Sequence, residues 1–190
     1  MNGYERRTQQ KRKAIIQAAQ ELFIKRGITG VTVNEIAVRA GVSQVTVFKY
    51  FGDKMTLARE AMMERFNESM AAADELLEQN IPFSEKIQWI IDKNKQSIDI
   101  VGESFLHSID DPPMKQIINE FLTVRAVPWY EKLIKEGKKE GAIDESIPTE
   151  AIMAYIFALL PVLSSPEHIK KGREYYTGLM KLFFNGLISK

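Results

Sequence analysis

Two short helices separated by a tight turn are encoded between residues 32 and 51, and this stretch constrains the fold more than any other. Thr32 is followed three residues later by Glu35, the capping-box spacing in which a hydroxyl and a carboxylate satisfy the free N–H groups of a starting helix. Apolar residues then recur at helical spacing until Gly41, which can adopt the positive φ of a sharp turn. Ser43 can cap a second helix. The pattern predicts a helix-turn-helix.

The second helix of this motif would span residues 44–51, QVTVFKYF. Read alone, its β-branched and aromatic residues favour a strand. The capping residues Ser43 and Asp53 on either side favour a helix instead. At about 100° per residue, such a helix has an inner and an outer arc. The inner arc consists of Gln44, Val47, Phe48 and Phe51, and the outer arc of Val45, Thr46, Lys49 and Tyr50.

The outer arc suits contact with B-DNA. Lys49 can neutralise a phosphate or bond a guanine edge, the hydroxyls of Thr46 and Tyr50 can bond phosphates, and Val45 can pack on a thymine methyl group. Gln44, in the first turn, could also reach a base. The alternative is a helix whose polar residues merely face water.

Charge is distributed unevenly along the chain. The net charge is +1, yet residues 1–54 carry ten basic and four acidic side chains, whereas residues 55–190 carry 16 and 21. A basic N-terminal region is typical of a nucleic-acid-binding surface, although a solvated charged arm has the same composition. Cysteine is absent, which excludes disulfides and thiolate metal sites.

Residues 32–57, TVNEIAVRAGVSQVTVFKYFGDKMTL, resemble the DNA-binding signature of TetR-type transcriptional regulators, and the similarity extends over residues 8–60. Phe48 stands where the Y-x-Y-F-x-x-K pattern of that family has its first tyrosine, so a phosphate-bonding hydroxyl is absent there. The resemblance implies a dimer that binds operator DNA and changes its affinity when a small-molecule effector binds. The DNA contacts that it implies are Thr32, Gln44, Val45, Thr46, Lys49, Tyr50 and Lys54.

Helical periodicity and turn signals predict an all-α chain of about nine helices. The helices that can be bounded cover residues 8–26, 33–40, 44–51, 54–80, 112–139 and 150–163, with further helices starting near Ser84 and Ser165-Pro166. The long helix from Lys54 would connect an N-terminal helix-turn-helix DNA-binding domain, residues 1–53, with a helical effector-binding and dimerisation domain, residues 54–190.

Methionine and aromatic side chains on the connecting helix and beyond it can line an adaptable apolar pocket, or they can form an ordinary core. The resemblance favours the pocket. The candidate ligand-binding residues are Met62, Phe66, Met70, Trp89, Phe105, Phe121, Arg125, Trp129 and Tyr155. Arg125 falls in the middle of an apolar stripe, where it needs either a carboxylate, with Glu103 and Glu120 as candidates, or a polar cavity. Pro128 can kink this helix.

The last two helices carry more apolar surface than one small core needs, which predicts a homodimer through a four-helix interface. A monomer with a well-covered core is the alternative. The run AIMAYIFALLPVL, residues 151–163, is shorter than the roughly 20 residues of a membrane span. No apolar segment follows the polar N-terminus, so we expect no secretory signal, no membrane association and a cytoplasmic location.

Enzyme chemistry has little support in the sequence. His107 and His168 are the only histidines, and neither lies at a spacing typical of a metal site or a catalytic triad. Phosphate-binding glycine loops are absent. We predict no enzyme activity, no metal and no cofactor. The sequence predicts a ligand-responsive transcriptional regulator, acting as a repressor that a small molecule releases from a palindromic operator. A ligand-independent architectural DNA-binding protein is the alternative.

Overall fold

All regular secondary structure in the described part of the chain is helical. The computed structural model describes residues 3–100, 108–164 and 171–185. The helices are α1 (Gly3–Arg26), α2 (Val33–Ala40), α3 (Gln44–Phe51), α4 (Lys54–Glu78), α5 (Phe83–Ile100), α6 (Pro112–Phe121), α7 (Val127–Lys139), α8 (Thr149–Ser164) and α9 (Arg173–Asn185). A π-helical turn, Leu122–Ala126, joins α6 to α7, so these residues contain eight separate helices. The all-α prediction is confirmed, and about nine helices is close to the observed number.

Helix ends follow the local signals in the sequence. Gly27, with φ of 70°, ends α1 in the left-handed conformation that glycine adopts without strain. Asp53 caps α4, because its carboxylate accepts hydrogen bonds from the backbone N–H and the hydroxyl of Thr56, both at 2.9 Å. Only the start of α1 differs appreciably, since it begins at Gly3 and not near Thr8. The predicted helix start at Ser165-Pro166 lies outside the described residues.

The chain forms two compact units. Unit 1 comprises Met1–Ser69 and Glu103–Phe121, and unit 2 comprises Met70–Gly102 and Leu122–Lys190. The division falls inside α4 and at the start of the π turn. These units do not coincide with the predicted DNA-binding domain, residues 1–53, and effector-binding domain, residues 54–190, so that functional division stays a prediction.

Unit 1 has a single apolar core formed by α1, α2, α3, the first half of α4, and α6. Its buried residues are Ile15, Ile16, Ala18, Ala19, Phe23, Ile28, Val31, Val33, Ile36, Ala37, Val47, Phe51, Leu57, Ala58, Ala61, Met62, Met114 and Ile117. The helix-turn-helix therefore rests on α1 and α4, which fix the direction in which α3 faces.

Helix α6 is held in unit 1 at both ends, although it lies far along the sequence from α1. At its start, the Asp111 carboxylate accepts hydrogen bonds at 3.1 Å from the backbone N–H groups of Ile28 and Thr29, in the turn between α1 and α2. At its end, Glu120 pairs with Arg59 of α4. The carboxylate of Asp111 therefore fixes the turn that precedes α2.

Unit 2 has its own core between α5, α7, α8 and the end of α4. The buried residues are Leu76, Phe83, Ile87, Ile90, Ile91, Trp129, Leu133, Ile134, Ile143, Ile152, Met153 and Ile156. Lys86 is fully buried there, and its ammonium donates to the Leu77 carbonyl at 3.2 Å and pairs with Glu136. A buried ammonium needs such partners, because burial of an unpaired charge is very unfavourable.

The π turn explains how a proline is accommodated in the long helix that starts at Pro112. Pro128 has no N–H, and its ring would clash in a regular α-helix with the carbonyl of Val124, four residues earlier. The wider turn, which ends at Ala126, relieves this contact. The structure therefore has a π turn directly before Pro128, and the predicted kink stays a prediction.

Arg125 lies within this π turn and forms an ion pair with Asp74 of α4. Of the two alternatives for Arg125, pairing with a carboxylate is the one observed, but the candidate Glu120 was wrong, because that side chain pairs with Arg59. Glu103, the other candidate, lies outside the described residues. No helix of the described residues is both long and apolar enough to cross a membrane.

Candidate nucleic-acid interface

The start of α2 is fixed by the predicted capping box. Glu35 donates its backbone N–H to the Thr32 hydroxyl oxygen at 3.3 Å, while the Glu35 carboxylate accepts the Thr32 backbone N–H and hydroxyl, both at 2.8 Å. Arg26, at the end of α1, donates to the same carboxylate at 2.8 Å. The Arg26 hydrogen bond and those from Thr32 lower the pKa of Glu35 to about 2. The box is therefore ionised at neutral pH, and it ties α2 to α1.

The turn between α2 and α3 also forms as predicted. Gly41 has φ of 68°, and its N–H closes the end of α2. Ser43 then caps α3 by accepting the backbone N–H of Thr46 at 3.2 Å. The two hydroxyls of Ser43 and Thr46 also share a hydrogen bond of 2.8 Å. The Thr46 hydroxyl, a predicted DNA contact, is thus already engaged at the start of the helix.

Helix α3 faces the core with a side that agrees only in part with the prediction. Val47 and Phe51 are buried, as expected. Phe48, which the prediction placed on the inner arc, is 43% exposed, and Gln44 is exposed as well. Tyr50, predicted to face outward, is half-buried and packs against the unit 1 core. The inner-arc assignment was wrong for Gln44 and Phe48.

Four side chains consequently share the exposed surface of α3: Gln44, Val45, Phe48 and Lys49. We call these four the exposed face of α3. Val45, at 77%, has the highest exposure among the large apolar side chains of the described residues. Phe48 is the member of this face that sequence reasoning missed, because its hydrophobicity was taken as a signal for the core.

Two further predicted contacts, Thr32 and Lys54, lie close together beside this motif. The Lys54 ammonium donates to the Val31 carbonyl at 2.8 Å, one residue before Thr32. The lysine therefore links the first residue of α4 to the turn before α2. Its charge and the N-terminus of α2 are both suited to a phosphate group.

Most arginines around the motif are neutralised by carboxylates. The pairs are Arg12 with Glu60, Arg26 with Glu35, Arg39 with Glu21, and Arg59 with Glu120. Lys49 differs, because it has no ion pair or hydrogen bond within the described part of the chain. The exposed face of α3 therefore carries a cation that is available to an anionic partner.

Sequence reasoning also missed two residues that hold the motif in place. The Arg12 guanidinium lies 5.3 Å from the centroid of the Phe51 ring, at the end of α3. Arg12 stands one helical turn before the buried Ile16, and this spacing is the sequence signal that could have placed it near the core. Asp111 is the second of these residues, and its hydrogen bonds to Ile28 and Thr29 have no local signal in the sequence.

Comparison with known proteins agrees with this geometry. The family model of bacterial regulatory proteins of the tetR family matches residues 15–61, which span the second half of α1, all of α2 and α3, and the start of α4. Residues 15–61 therefore form a DNA-binding domain of the TetR type. The chain is a DNA-binding transcriptional regulator of the helix-turn-helix class.

Two relatives of this regulator match almost its full length. The uncharacterized HTH-type transcriptional regulator YhgD of Bacillus subtilis (strain 168) is 24% identical over 179 residues, covering 91% of this chain and 94% of that protein. The HTH-type transcriptional repressor DhaR of Mycobacterium sp. (strain GP1) is 20% identical over 184 residues, covering 93% and 92%. Both relatives are transcriptional regulators and not enzymes.

The fold is shared with solved regulators. The crystal structure of the transcriptional regulator FadR from Bacillus subtilis in complex with stearoyl-CoA superimposes with a TM-score of 0.72 at 20% identity, covering 93% of this chain and 97% of that one. The likeness includes the helices beyond the motif, which the family model does not cover.

The candidate ligand-binding residues of the regulator are divided between the two units. Unit 1 contains Met62, Phe66 and Phe121, and unit 2 contains Met70, Trp89, Arg125, Trp129 and Tyr155. Met62 is fully buried in the unit 1 core, and Phe66 lies against Phe121 with ring centroids 5.1 Å apart. In unit 2, buried Trp129 donates its indole N–H to the Ala73 carbonyl at 3.2 Å. Phe105 lies outside the described residues.

Groups suited to metal binding are absent from the described ranges, where no three histidine or acidic side chains lie close enough together to hold an ion. His107 and His168 both lie outside these ranges. Asp111, which precedes α6, is engaged with backbone N–H groups of unit 1.

Proposed function

We propose that the protein is a homodimeric, ligand-responsive transcriptional repressor, which inserts α3 of each protomer into the major groove of operator DNA. The observation that carries this proposal is the exposed face of α3, which presents Gln44, Val45 and Lys49 to solvent. The opposite side of the helix is fixed to the core through Val47 and Phe51. Its orientation is therefore set before DNA binds.

The dimensions and chemistry of α3 suit a major groove. An α-helix such as α3 is about 10–12 Å across with its side chains, similar to the width of the groove. Gln44 and Val45 lie at the N-terminal end, the end that helix-turn-helix proteins present to base edges. Lys49, one turn later, is suited to a phosphate. Thr32 and Lys54 can position the DNA backbone on one side of the motif.

Helices α8 and α9 are the proposed dimer interface. On α9, Tyr175, Leu179 and Leu182 recur at helical spacing, and Leu182 is 70% exposed. These residues border a groove of about 490 Å³ together with Lys171, Glu174 and Gly178. A second copy would cover this apolar stripe, whereas a monomer would leave it in water. A two-fold dimer presents two copies of α3, so its operator is a palindrome with half-sites about one helical turn apart or a multiple of it.

We infer that the effector combines a lipophilic part with an anionic group. The FadR structure of similar fold contains stearoyl-CoA. In this chain, Arg125 is half-buried in unit 2, and an anionic ligand can compete with Asp74 for its guanidinium. An effector that binds better to the conformation unsuited to DNA lowers operator affinity, with a coupling of typically about 1–3 kcal/mol.

Selection of bound sequences from a random DNA pool tests the DNA-binding part of the proposal. The expected result is one enriched palindrome. Failure to enrich any sequence contradicts the proposal, and enrichment of a single asymmetric half-site contradicts the dimer. Repression is tested with a reporter gene that carries the selected site, and expression should fall when the protein is present.

Effector response is tested by adding stearoyl-CoA to the protein bound at its selected site, with CoA alone as the control ligand. Release by stearoyl-CoA is expected for the wild type and is expected to be lost in Arg125→Met, which should still bind DNA. Lys132→Met, an exposed change on α7, is the matched control and should respond like the wild type. If Arg125→Met unfolds the protein, the role of Arg125 is structural.

The alternative function is a ligand-independent architectural DNA-binding protein. A thermal-shift screen with acyl-CoA and other lipophilic anions separates the two. Any compound that both raises the melting temperature and releases DNA favours the regulator. If no compound does both, the architectural function is favoured.

A further inference from the structure

The centre of the exposed face of α3 is apolar. At about 100° per residue, Phe48, Val45 and Lys49 lie about 40°, 100° and 140° around the helix from Gln44. Polar side chains therefore occupy the two edges of this face, and Val45 and Phe48 occupy its middle. Both of these residues are exposed, whereas Tyr50 is half-buried and packs against the unit 1 core.

The exposure of this pair indicates a partner with an apolar group. Val45 is 77% exposed and Phe48 is 43% exposed, three residues apart on the same side of one helix. Single exposed apolar residues are common on protein surfaces. Two neighbouring ones in the middle of a surface that binds DNA are less readily explained by chance, because charged and polar groups form most DNA contacts.

The major groove presents one apolar group on its base edges, the C5-methyl group of thymine. Phe48 has no hydrogen-bonding group, so it cannot bond a phosphate oxygen or a base edge. Both side chains can instead exclude water from a methyl group, while Gln44 and Lys49 at the edges of the face bond polar groups nearby.

We propose that Val45 and Phe48 form a pair that reads thymine methyl groups in each operator half-site. The inference rests on the proposed function, since it requires α3 in a major groove. It makes Phe48 a specificity-determining residue. It also predicts that each half-site contains an invariant T·A pair whose thymine is recognised through its methyl group.

Replacement of thymine by deoxyuridine tests this directly, because it deletes the methyl group and keeps every hydrogen-bonding group of the base. Each thymine of the selected site is replaced in turn, and affinity is measured by fluorescence anisotropy. Loss of one buried methyl contact corresponds to about a fourfold weaker affinity. We expect this loss at one or two positions per half-site and little change elsewhere.

Variants then assign the effect to the pair. In Val45→Ala and Phe48→Ala, both surface changes, the deoxyuridine penalty should shrink towards none. In Gln44→Ala, DNA affinity should fall while the penalty persists. Melting temperatures measured on the same samples establish that each variant is folded, and Phe48→Leu, which keeps an apolar side chain, should retain part of the penalty.

Each outcome bears on a different claim. Deoxyuridine without effect at any position, a penalty that persists in both alanine variants, or a half-site without an invariant T·A pair overturns the inference and leaves the proposed function standing. If the pool yields no bound sequence at all, the proposed function fails and the inference fails with it.

Discussion

Replacing Asp111 with alanine should destabilise unit 1 far more than its place in a short surface segment suggests. The carboxylate accepts backbone N–H groups of Ile28 and Thr29 at 3.1 Å and that of Met114 at 3.4 Å. Hydrogen bonds to a charged group contribute about 1.5–3 kcal/mol each, and a helix N-cap about 1 kcal/mol. Because these bonds share one half-exposed carboxylate and are not additive, we expect a total loss of about 2–4 kcal/mol.

The matched control is the neighbouring Asp110→Ala. Asp110 is exposed and pairs at 3.0 Å with Lys115, which is also exposed. Such a surface pair contributes about 0–1 kcal/mol. The free energy of unfolding is measured by urea denaturation followed by circular dichroism, for both variants and the wild type. If Asp111→Ala costs no more than Asp110→Ala, the turn before α2 does not depend on this carboxylate.

The effect of Asp111→Ala should also depend on pH. Burial alone would raise the pKa of Asp111, but the hydrogen bonds from Thr29, Ile28 and Met114 outweigh it, so the pKa lies below its ordinary value. A lowered pKa in the folded state means that the carboxylate stabilises the fold above its unfolded pKa of about 4, and that this contribution is lost as the pH falls through the folded pKa. The difference between the wild type and Asp111→Ala should therefore shrink below about pH 4.

Two other predictions concern charged groups. Glu136→Gln should destabilise the protein by about 2–4 kcal/mol in thermal or urea denaturation, because it removes the counterion of fully buried Lys86. The control Glu131→Gln, on the same helix, should have little effect. Equal losses of stability in the two variants would contradict this prediction. An NMR titration should give Glu35 a pKa of about 2, and the contribution of its carboxylate to stability should be lost as the pH falls through that value. Arg26→Gln should raise the pKa of Glu35. A wild-type pKa near 4 would contradict the pairing of Glu35 with Arg26.

The helix-turn-helix could be predicted from sequence because its signals act within four residues. The Thr32–Glu35 box, the positive φ of Gly41 and the Ser43 cap depend on neighbouring residues alone, and each formed as predicted. Capping also outweighed the strand preference of the residues in α3. Local backbone bonding therefore determines where these helices begin and end.

The direction in which α3 faces could not be predicted in the same way. A helix of eight residues is too short for its apolar periodicity to show whether Phe48 is buried or exposed. The packing of α3 against α1 and α4 decides which side is buried. Here it places Tyr50 against the core and leaves Phe48 exposed.

Contacts between distant parts of the chain were also beyond sequence reasoning. Arg125 has an ionic partner, but the partner is Asp74, which is 51 residues away in the sequence. Asp111 bonds the turn at Ile28, 83 residues earlier. Sequence chemistry predicts that such a group needs a partner, whereas the tertiary fold decides which one it meets.

If the exposed face of α3 binds DNA, Lys49 should contribute to the salt dependence of affinity at the selected site. Each lysine–phosphate contact contributes about 0.9 to the slope of log K against log salt, so loss of Lys49 from both protomers should reduce the slope by about 1.8. Lys25→Ala, an exposed lysine at the end of α1, is the control and should leave the slope unchanged. A Lys49→Ala protein with the affinity and slope of the wild type would show that Lys49 does not contact DNA and that this face of α3 does not lie in the groove.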